Sequence, residues 1–116
     1  MPWEPLSSIA EFRTSREQDR FVVVFLTSED CYLCKLVQPK IRPFADDLDL
    51  ADVAFCTLDV GVVSIDAEPE LQGISSLPVF LLYDSGSLRE VVRVTREQRP
   101  GRLLARAIKA TFDRQG

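Results

Sequence analysis

The sequence predicts an α/β protein, a sandwich in which helices flank a mixed central β-sheet. Short apolar runs alternate along the chain with segments whose apolar residues recur at helical spacing, which is typical of β-α-β units. Residues 79–94 then hold two strand-like runs separated by Asp84-Ser85-Gly86-Ser87, which predicts an antiparallel hairpin. Parallel crossovers followed by a hairpin produce a sheet that contains both strand directions.

The first two elements follow from capping and from hydrophobicity. Ser8-Ile9-Ala10-Glu11 has the spacing of a capping box and predicts a helix that runs to about Gln18. Residues Phe21 to Leu26, FVVVFL, form a continuous apolar and largely β-branched run. Such a run predicts a strand that is covered on both faces.

A longer helix is predicted directly after the cysteine pair. Its apolar residues recur at intervals of four, three and four and mark one helical face, namely Val37, Ile41, Phe44 and Leu48. Pro39 and Pro43 lie inside this pattern. Because each proline removes a backbone donor and crowds the preceding turn, we expect a kink near Pro39.

The second half of the chain is predicted to contain three strands and two helices. The predicted strands cover residues 53–60, 79–83 and 88–94. A short helix is expected over Asp66 to Gln72, ended by Gly73. The closing helix is marked by a single apolar face, formed by Leu104, Ala107, Ile108, Thr111 and Phe112.

Length and charge define the general class of protein. The 116 residues, 46% of them hydrophobic, suit one core, so we expect a single domain over residues 1–116. The formal net charge of −4 and the absence of a basic stripe argue against a nucleic-acid partner. No apolar run approaches the roughly 20 residues of a membrane span, and residues 1–5 do not resemble a signal peptide. We expect a cytoplasmic monomer.

The three cysteines and the absence of histidine limit the chemistry. Without histidine, the usual Ser-His-Asp and Cys-His sites are excluded. Structural zinc sites need four nitrogen or sulfur ligands, and Cys56 alone remains beside the close pair, so no metal or other cofactor is expected. A cluster bridged between two chains is the open alternative. Cys56, in an apolar strand, is interpreted as a small buried hydrophobic residue.

The chemistry is assigned to Cys31-Tyr32-Leu33-Cys34, which lies between the first apolar strand and the next helix. Unpaired N–H groups and the helix dipole favour an anion at such a position. A thiolate is the reacting form of cysteine, and this position lowers its pKa from about 8.5. A second thiol three residues later is close enough to attack a mixed disulfide formed by the first.

Two segments give the chain a specific resemblance to the thioredoxin family. The first is the strand followed by DCYLCK, with Pro39 five residues after Cys34. The second is Gly73-Ile74-Ser75-Ser76-Leu77-Pro78 followed by a strand, which is similar to the family's Gly-Val-x-x-Ile-Pro. The resemblance implies the thioredoxin fold, a three-layer sandwich, with Pro78 in cis and facing the dithiol. It also implies an N-terminal strand around residues 3–6, where the residues give little signal.

The resemblance also implies roles for individual residues. Cys31 corresponds to the exposed attacking thiol and Cys34 to the shielded resolving thiol. Leu77 and Pro78 correspond to the wall against which a substrate backbone lies, and Tyr32 and Leu33 are assigned to the same substrate-binding surface. For Tyr32, simple exposure is the alternative. Lys35, which follows the second cysteine as in the family, is grouped with the residues that modulate the site.

Three departures from the family pattern surround the motif. Asp30 replaces the usual tryptophan, Tyr32-Leu33 replaces Gly-Pro, and Phe25 replaces a buried aspartate. The Asp30 charge is expected to raise the pKa of a neighbouring thiolate, and Asp30 is also expected to serve as the N-cap of the helix. Phe25 cannot relay a proton from Cys34, so the resolving step is expected to be slower.

The predicted function is protein thiol-disulfide exchange through the Cys31/Cys34 dithiol. Its partners would be protein disulfide substrates and an unidentified electron donor or acceptor. The alternative is a redox-inactive or weakly active interaction or chaperone module that retains the fold. A further group of arginines is interpreted as a solvated face, with a docking surface for an acidic partner as its alternative, and comprises Arg96, Arg99, Arg102 and Arg106.

Overall fold

The computed structural model describes residues 3–112 and contains, within them, five strands and three α-helices. In chain order the elements are β1 (Glu4–Leu6), α1 (Ile9–Gln18), β2 (Phe21–Thr27), α2 (Tyr32–Ile41), β3 (Val53–Asp59), β4 (Val79–Asp84), β5 (Ser87–Arg93) and α3 (Pro100–Thr111). The predicted strands and the first and last helices are confirmed, and β1 forms the N-terminal strand. No helix in this described range is long and apolar enough to span a membrane.

The five strands form one mixed sheet in the order β1-β3-β2-β4-β5. Strands β1 and β2 both pair with β3 in parallel. Strand β4 is antiparallel to β2, and β5 is antiparallel to β4, as the predicted hairpin requires. The turn between β4 and β5 contains Gly86 at φ 85°, a backbone angle that glycine adopts without steric cost. The sheet is therefore the mixed central layer of the predicted sandwich.

The burial of strand β2 explains why its sequence is apolar without interruption. All seven of its residues are buried. Successive side chains of a strand point to opposite faces, and here they enter two separate cores. The α2–α3 core contains Phe21, Val23 and Phe25 together with Cys34, Val37, Ile41, Leu104 and Ile108. The α1 core contains Val22, Val24 and Leu26 together with Phe12, Leu58, Leu71 and Tyr83.

Helix α1 begins at the predicted cap. The Ser8 side chain accepts a hydrogen bond from the Glu11 backbone N–H at 3.1 Å. The Glu11 carboxylate accepts from the backbone N–H of Ser7, at 2.7 Å, rather than from that of Ser8. The first hydrogen bond of the capping box is thus present, and the second is made to the N–H one residue earlier than expected. Phe12 is the buried residue of this helix and anchors it to the sheet.

The helix predicted to continue to Leu48 is shorter than expected. Helix α2 passes through Pro39 and ends at Ile41, after which the backbone forms 3₁₀ turns over Arg42–Asp46 and Leu48–Leu50. Pro43 removes a second backbone donor four residues after Pro39, and this favours the tighter turns. Because 3₁₀ geometry has three residues per turn, Leu48 leaves the apolar face and is 89% exposed.

The helix predicted over Asp66–Gln72 is also mostly absent. Only a 3₁₀ turn over Pro69–Leu71 forms in this segment. Glu68 has φ −90° and ψ 111°, an extended conformation. A residue that precedes proline is pushed away from helical angles, so Pro69 prevents a helix from running through Glu68.

Glu68 instead enters a buried ion-pair cluster, which we call the Glu68 cluster. Its carboxylate, 3% exposed, lies 2.6 Å from Nε of Arg13 and 3.3 Å from a guanidinium nitrogen of Arg16. Arg16 also binds Glu70 at 2.6 Å, and the Tyr83 hydroxyl donates to Glu70 at 2.6 Å. Burial and this hydrogen bond raise the pKa of Tyr83. The cluster attaches the loop before β4 to helix α1.

We predict that Glu68→Gln lowers the free energy of unfolding by about 2 kcal/mol, because charged hydrogen bonds to a buried group are lost. Asp84→Asn is the matched control. Asp84 pairs with Arg20 at 3.5 Å, and the Arg20 side chain is 71% exposed, so the control should lose less than about 1 kcal/mol. Urea unfolding of the three proteins measures both values. Equal losses in the two variants would show that the Glu68 cluster contributes no more to stability than an exposed ion pair.

Candidate active site

The two cysteines of the motif meet at the start of helix α2. Cys31 is the N-cap residue, and Cys34 lies in the first helical turn. They form a disulfide with Cα atoms 5.3 Å apart, within the usual range of 4.4–6.8 Å. The turn that leads from β2 to this point is closed by a hydrogen bond from the Cys31 N–H to the Ser28 carbonyl. The strand end and the helix start thus bring the sulfurs together.

The two sulfurs have different surroundings. Cys31 is partly exposed, and its sulfur accepts a hydrogen bond from the Cys34 backbone N–H at 3.1 Å. Cys34 is fully buried in the α2–α3 core. A backbone N–H at a helix N-terminus favours negative charge on the atom that it contacts. In the reduced protein this arrangement favours a thiolate on Cys31.

Asp30 does not cap helix α2. The capping atom is the Cys31 sulfur, so the expectation that Asp30 serves as the cap is wrong. Asp30 is exposed in the turn before the helix, next to Glu29, which is also exposed. The reason is one of position: the first helical residue is Tyr32, and the residue immediately before it is Cys31.

Phe25 fills the interior on the buried side of the dithiol. It is fully buried, shares the α2–α3 core with Cys34 and lies 5.3 Å from the ring centroid of Phe80. Among the described residues, only Thr27 and Glu68 are buried polar or charged side chains, and neither belongs to this core. Cys34 is therefore surrounded by apolar side chains, and among the described residues no buried carboxylate shares its core.

Trp3 is a neighbour of the site that sequence reasoning did not identify. Its indole N–H donates to the carbonyl of Ile41 at 3.2 Å, at the C-terminal end of α2. Its ring lies 4.8 Å from that of Phe55 and 6.2 Å from that of Phe25. Strand β1 is only three residues long, too short to show a period. The single tryptophan of the chain was the available signal.

The residues assigned to the substrate wall lie on the loop that enters β4. The Leu77–Pro78 peptide bond is cis. Pro78 is buried, and its carbonyl accepts a hydrogen bond from the Val94 N–H at 3.2 Å. Leu77 is half-buried and, like Cys31, packs against the α2–α3 core. On the helix, Tyr32 is 67% exposed, Leu33 is half-buried and Lys35 is exposed.

The third cysteine lies away from the dithiol, in the sheet. Cys56 is buried in the α1 core, in register with Glu4 of β1 and Val24 of β2. Its interpretation as a small buried residue is confirmed. Burial, with smaller contributions from the charges of Glu4 and Asp19, raises the pKa of the Cys56 thiol from 9.0 to about 11. Across residues 3–112, no group of three or more potential His, Cys, Asp or Glu ligands forms a metal site.

The raised pKa of Cys56 predicts a loss of stability in alkali. Between pH 9 and about 11 the thiol is ionised in the unfolded chain and protonated in the folded one. The unfolded state then binds fewer protons, so stability falls as pH rises through this range. At about 1.4 kcal/mol per pKa unit, the loss is about 2–3 kcal/mol.

The measurement is urea unfolding from pH 8 to 11 in a Cys31→Ser, Cys34→Ser background, where thiol exchange is excluded. Cys56→Ala in the same background is the control, because its cavity cost does not depend on pH. The two stability curves should converge as pH rises. Curves that stay parallel would contradict the raised pKa.

Comparisons with known proteins place this fold and site. The Thioredoxin family model matches residues 6–110. Thioredoxin-2 of Saccharomyces cerevisiae is 36% identical over 90 residues, which cover 77% of this chain and 81% of that protein. Thioredoxin-1 of Schizosaccharomyces pombe is 34% identical over 89 residues, or 75% and 82% of the two chains. The Plasmodium falciparum thioredoxin structure superposes with a TM-score of 0.77 at 26% identity, covering 92% of this chain and 97% of that one.

A mixed five-stranded sheet flanked by helices, with a Cys-x-x-Cys pair at a helix start, defines a thiol-disulfide oxidoreductase. Such proteins exchange two electrons with protein disulfides through their own dithiol. The family match and the yeast relatives carry the assignment further: the chain belongs to the thioredoxin family.

Proposed function

We propose that the chain works as one monomeric thioredoxin domain that reduces protein disulfides, with Cys31 as the attacking thiol and Cys34 as the resolving thiol. The observation that carries this assignment is the difference between the two sulfurs. Cys31 is partly exposed and receives a backbone N–H at the helix start, whereas Cys34 is fully buried. An attacking thiolate must reach a substrate and hold negative charge, and of the two thiols Cys31 meets both requirements.

The exchange proceeds in two displacements. The Cys31 thiolate attacks one sulfur of the client disulfide, forms a mixed disulfide and releases the other client sulfur as a thiolate, which takes up a proton. The Cys34 thiol then loses its proton and attacks the Cys31 sulfur, which releases the second client thiolate. The client gains two electrons, and the protein is left with the Cys31–Cys34 disulfide. A dithiol or reductase donor restores the reduced form.

The substrate surface in this proposal consists of Tyr32 and Leu33 on one side of the dithiol and Leu77 and Pro78 on the other. Support comes from the exposure of Tyr32 and from the packing of Leu77 and Cys31 against one core. A client strand that lies along Leu77 and Pro78 would bring its disulfide to Cys31. A cytoplasmic location belongs to the same proposal, because reducing compartments keep such dithiols reduced.

The assignment of the two thiols predicts which variant traps clients. Cys34→Ser leaves the attacking thiol without its resolver, so mixed disulfides with protein clients should accumulate on Cys31. Cys31→Ser should trap few, because its remaining motif thiol is buried. Each reduced variant is mixed with native insulin, whose disulfides are intact, and non-reducing gels measure the amount of mixed disulfide. Stronger trapping by Cys31→Ser would reverse the two roles.

The exposed charge of Asp30 is predicted to make the attacking thiol slightly less reactive. Asp30→Asn should lower the pKa of Cys31, because a like charge beside the thiolate is removed, and the effect should be small because solvent screens that charge. Insulin reduction at pH 7 should become faster. Glu29→Gln, one residue further from Cys31, is the control and should have the smaller effect. Thiol alkylation rates against pH measure the pKa, and insulin turbidity measures turnover.

Equal effects in the two variants would remove the special role of Asp30. A parent protein that fails to reduce insulin both with and without a dithiol donor would favour the interaction-module alternative.

Phe25→Asp tests the missing proton relay in the same assay. It should shorten the lifetime of the mixed disulfide at a cost in stability, because the new carboxylate would be buried beside Phe80.

A further inference from the structure

A groove of about 330 Å³ lies between helix α2 and the segment that links β5 to α3, and two of its lining residues, Tyr32 and Leu33, are those that separate the two cysteines in the chain. We call it the dithiol groove; its main lining residues are Tyr32, Leu33, Leu36, Lys40, Arg96 and Pro100. Tyr32 directly follows Cys31 in the chain, so the lining includes the residue next to the attacking cysteine. The walls are supplied by a helix and by a closed turn.

The turn that forms the second wall is held in place by two hydrogen bonds between Thr95 and Gln98, one of them to a side chain. The Gln98 N–H donates to the Thr95 carbonyl, and the Gln98 side chain accepts from the Thr95 N–H at 2.9 Å. The preceding residue, Val94, donates to the Pro78 carbonyl. The wall that carries Arg96 is therefore attached to the loop that carries the proposed substrate surface.

The groove is lined by apolar and polar residues, and its charged residues are cations. Tyr32 is 67% exposed and Leu36 is 46% exposed, and they are two of the four large exposed hydrophobic residues in the described range. The charged lining residues are Lys40 and Arg96, and no carboxylate lines the groove. Neither cation forms a salt bridge with another residue of 3–112. On a chain with a formal net charge of −4, this is a local positive surface.

We infer that the dithiol groove selects clients whose disulfide cysteine is followed by an apolar residue and then by acidic residues. The inference rests on the proposed function, because the client must be held on Cys31 while it occupies the groove. Tyr32 and Leu36 receive the apolar side chain, and Lys40 and Arg96 attract the carboxylates. This interpretation revises the solvated-face assignment of Arg96.

The length of the groove sets the position of the acidic residues. Lys40 lies eight residues after Tyr32, which is ~12 Å along an α-helix at ~1.5 Å per residue. An extended client covers ~3.3 Å per residue. Carboxylates about four residues from the client cysteine would therefore reach Lys40, and carboxylates ten residues away would pass beyond it.

The test uses three synthetic peptides, each with the same internal disulfide and a leucine after the second cysteine. The first carries two glutamates four and five residues beyond that cysteine, the second carries glutamines there, and the third carries the glutamates ten and eleven residues beyond. The reduced protein is mixed with each oxidised peptide, and chromatography follows the reduced product. At low salt, two exposed ion pairs should favour the first peptide about fivefold over the second.

Lys40→Glu combined with Arg96→Glu should abolish this preference for the first peptide. Arg89→Glu combined with Lys109→Glu changes the net charge equally at two exposed positions outside the groove and should retain it. Equal rates for the first and second peptides, equal rates for the first and third, or equal losses in the two double variants would overturn the inference while the reductase activity stands. A parent that reduces none of the peptides would overturn the proposed function as well.

Discussion

Strand β2 lies at the centre of the sheet with both faces buried, and the remaining elements are arranged around that constraint. Its alternating side chains enter the α2–α3 core on one face and the α1 core on the other. Two layers of covering structure are therefore required, and β3 and β4 must pair on its two edges. The strand ends at Thr27, so the dithiol emerges where the sheet stops and helix α2 starts. The position of the chemistry is a consequence of the packing of one strand.

The difference between the two sulfurs comes from the same arrangement. Helix α2 packs on the sheet through a face that includes Cys34 and Val37, while its first residue, Tyr32, is exposed. One cysteine is thus drawn into an apolar core, and the other stays at the cap with a backbone N–H on its sulfur. The aromatic rings of Phe25, Phe80 and Trp3 make the buried side more apolar. The exposed cysteine and the buried cysteine are therefore only three residues, or about one helical turn, apart.

Local patterns were reliable where the physical cause was local or periodic. The Ser8 cap, the two-sided burial of β2 and the β4–β5 hairpin each depend on residues that are close together in the chain. The patterns failed where prolines competed with periodicity. Leu48 has helical spacing from Phe44, yet 3₁₀ turns after Pro43 turn it into solvent. Pro69 similarly holds Glu68 extended, and the buried ion pairs of Glu68 with Arg13 and Arg16 join residues more than fifty positions apart.

The sequence by itself determined the mixed α/β architecture, the position of Cys31 and Cys34 between a strand and a helix, and the resemblance that identifies their chemistry. These features follow from hydrophobic periodicity, residue type and spacing, all of which can be recognised over a few residues. Only the tertiary structure decided that the Cys31 sulfur is itself the helix cap, that Trp3 lies against Phe25, and that Lys40 and Arg96 line one groove. The last two depend on segments that meet only after the sheet and its helices have packed, because a one-dimensional pattern does not carry their distances. The cap joins residues only three apart, but cysteine is not among the residue types that usually identify an N-cap in a sequence.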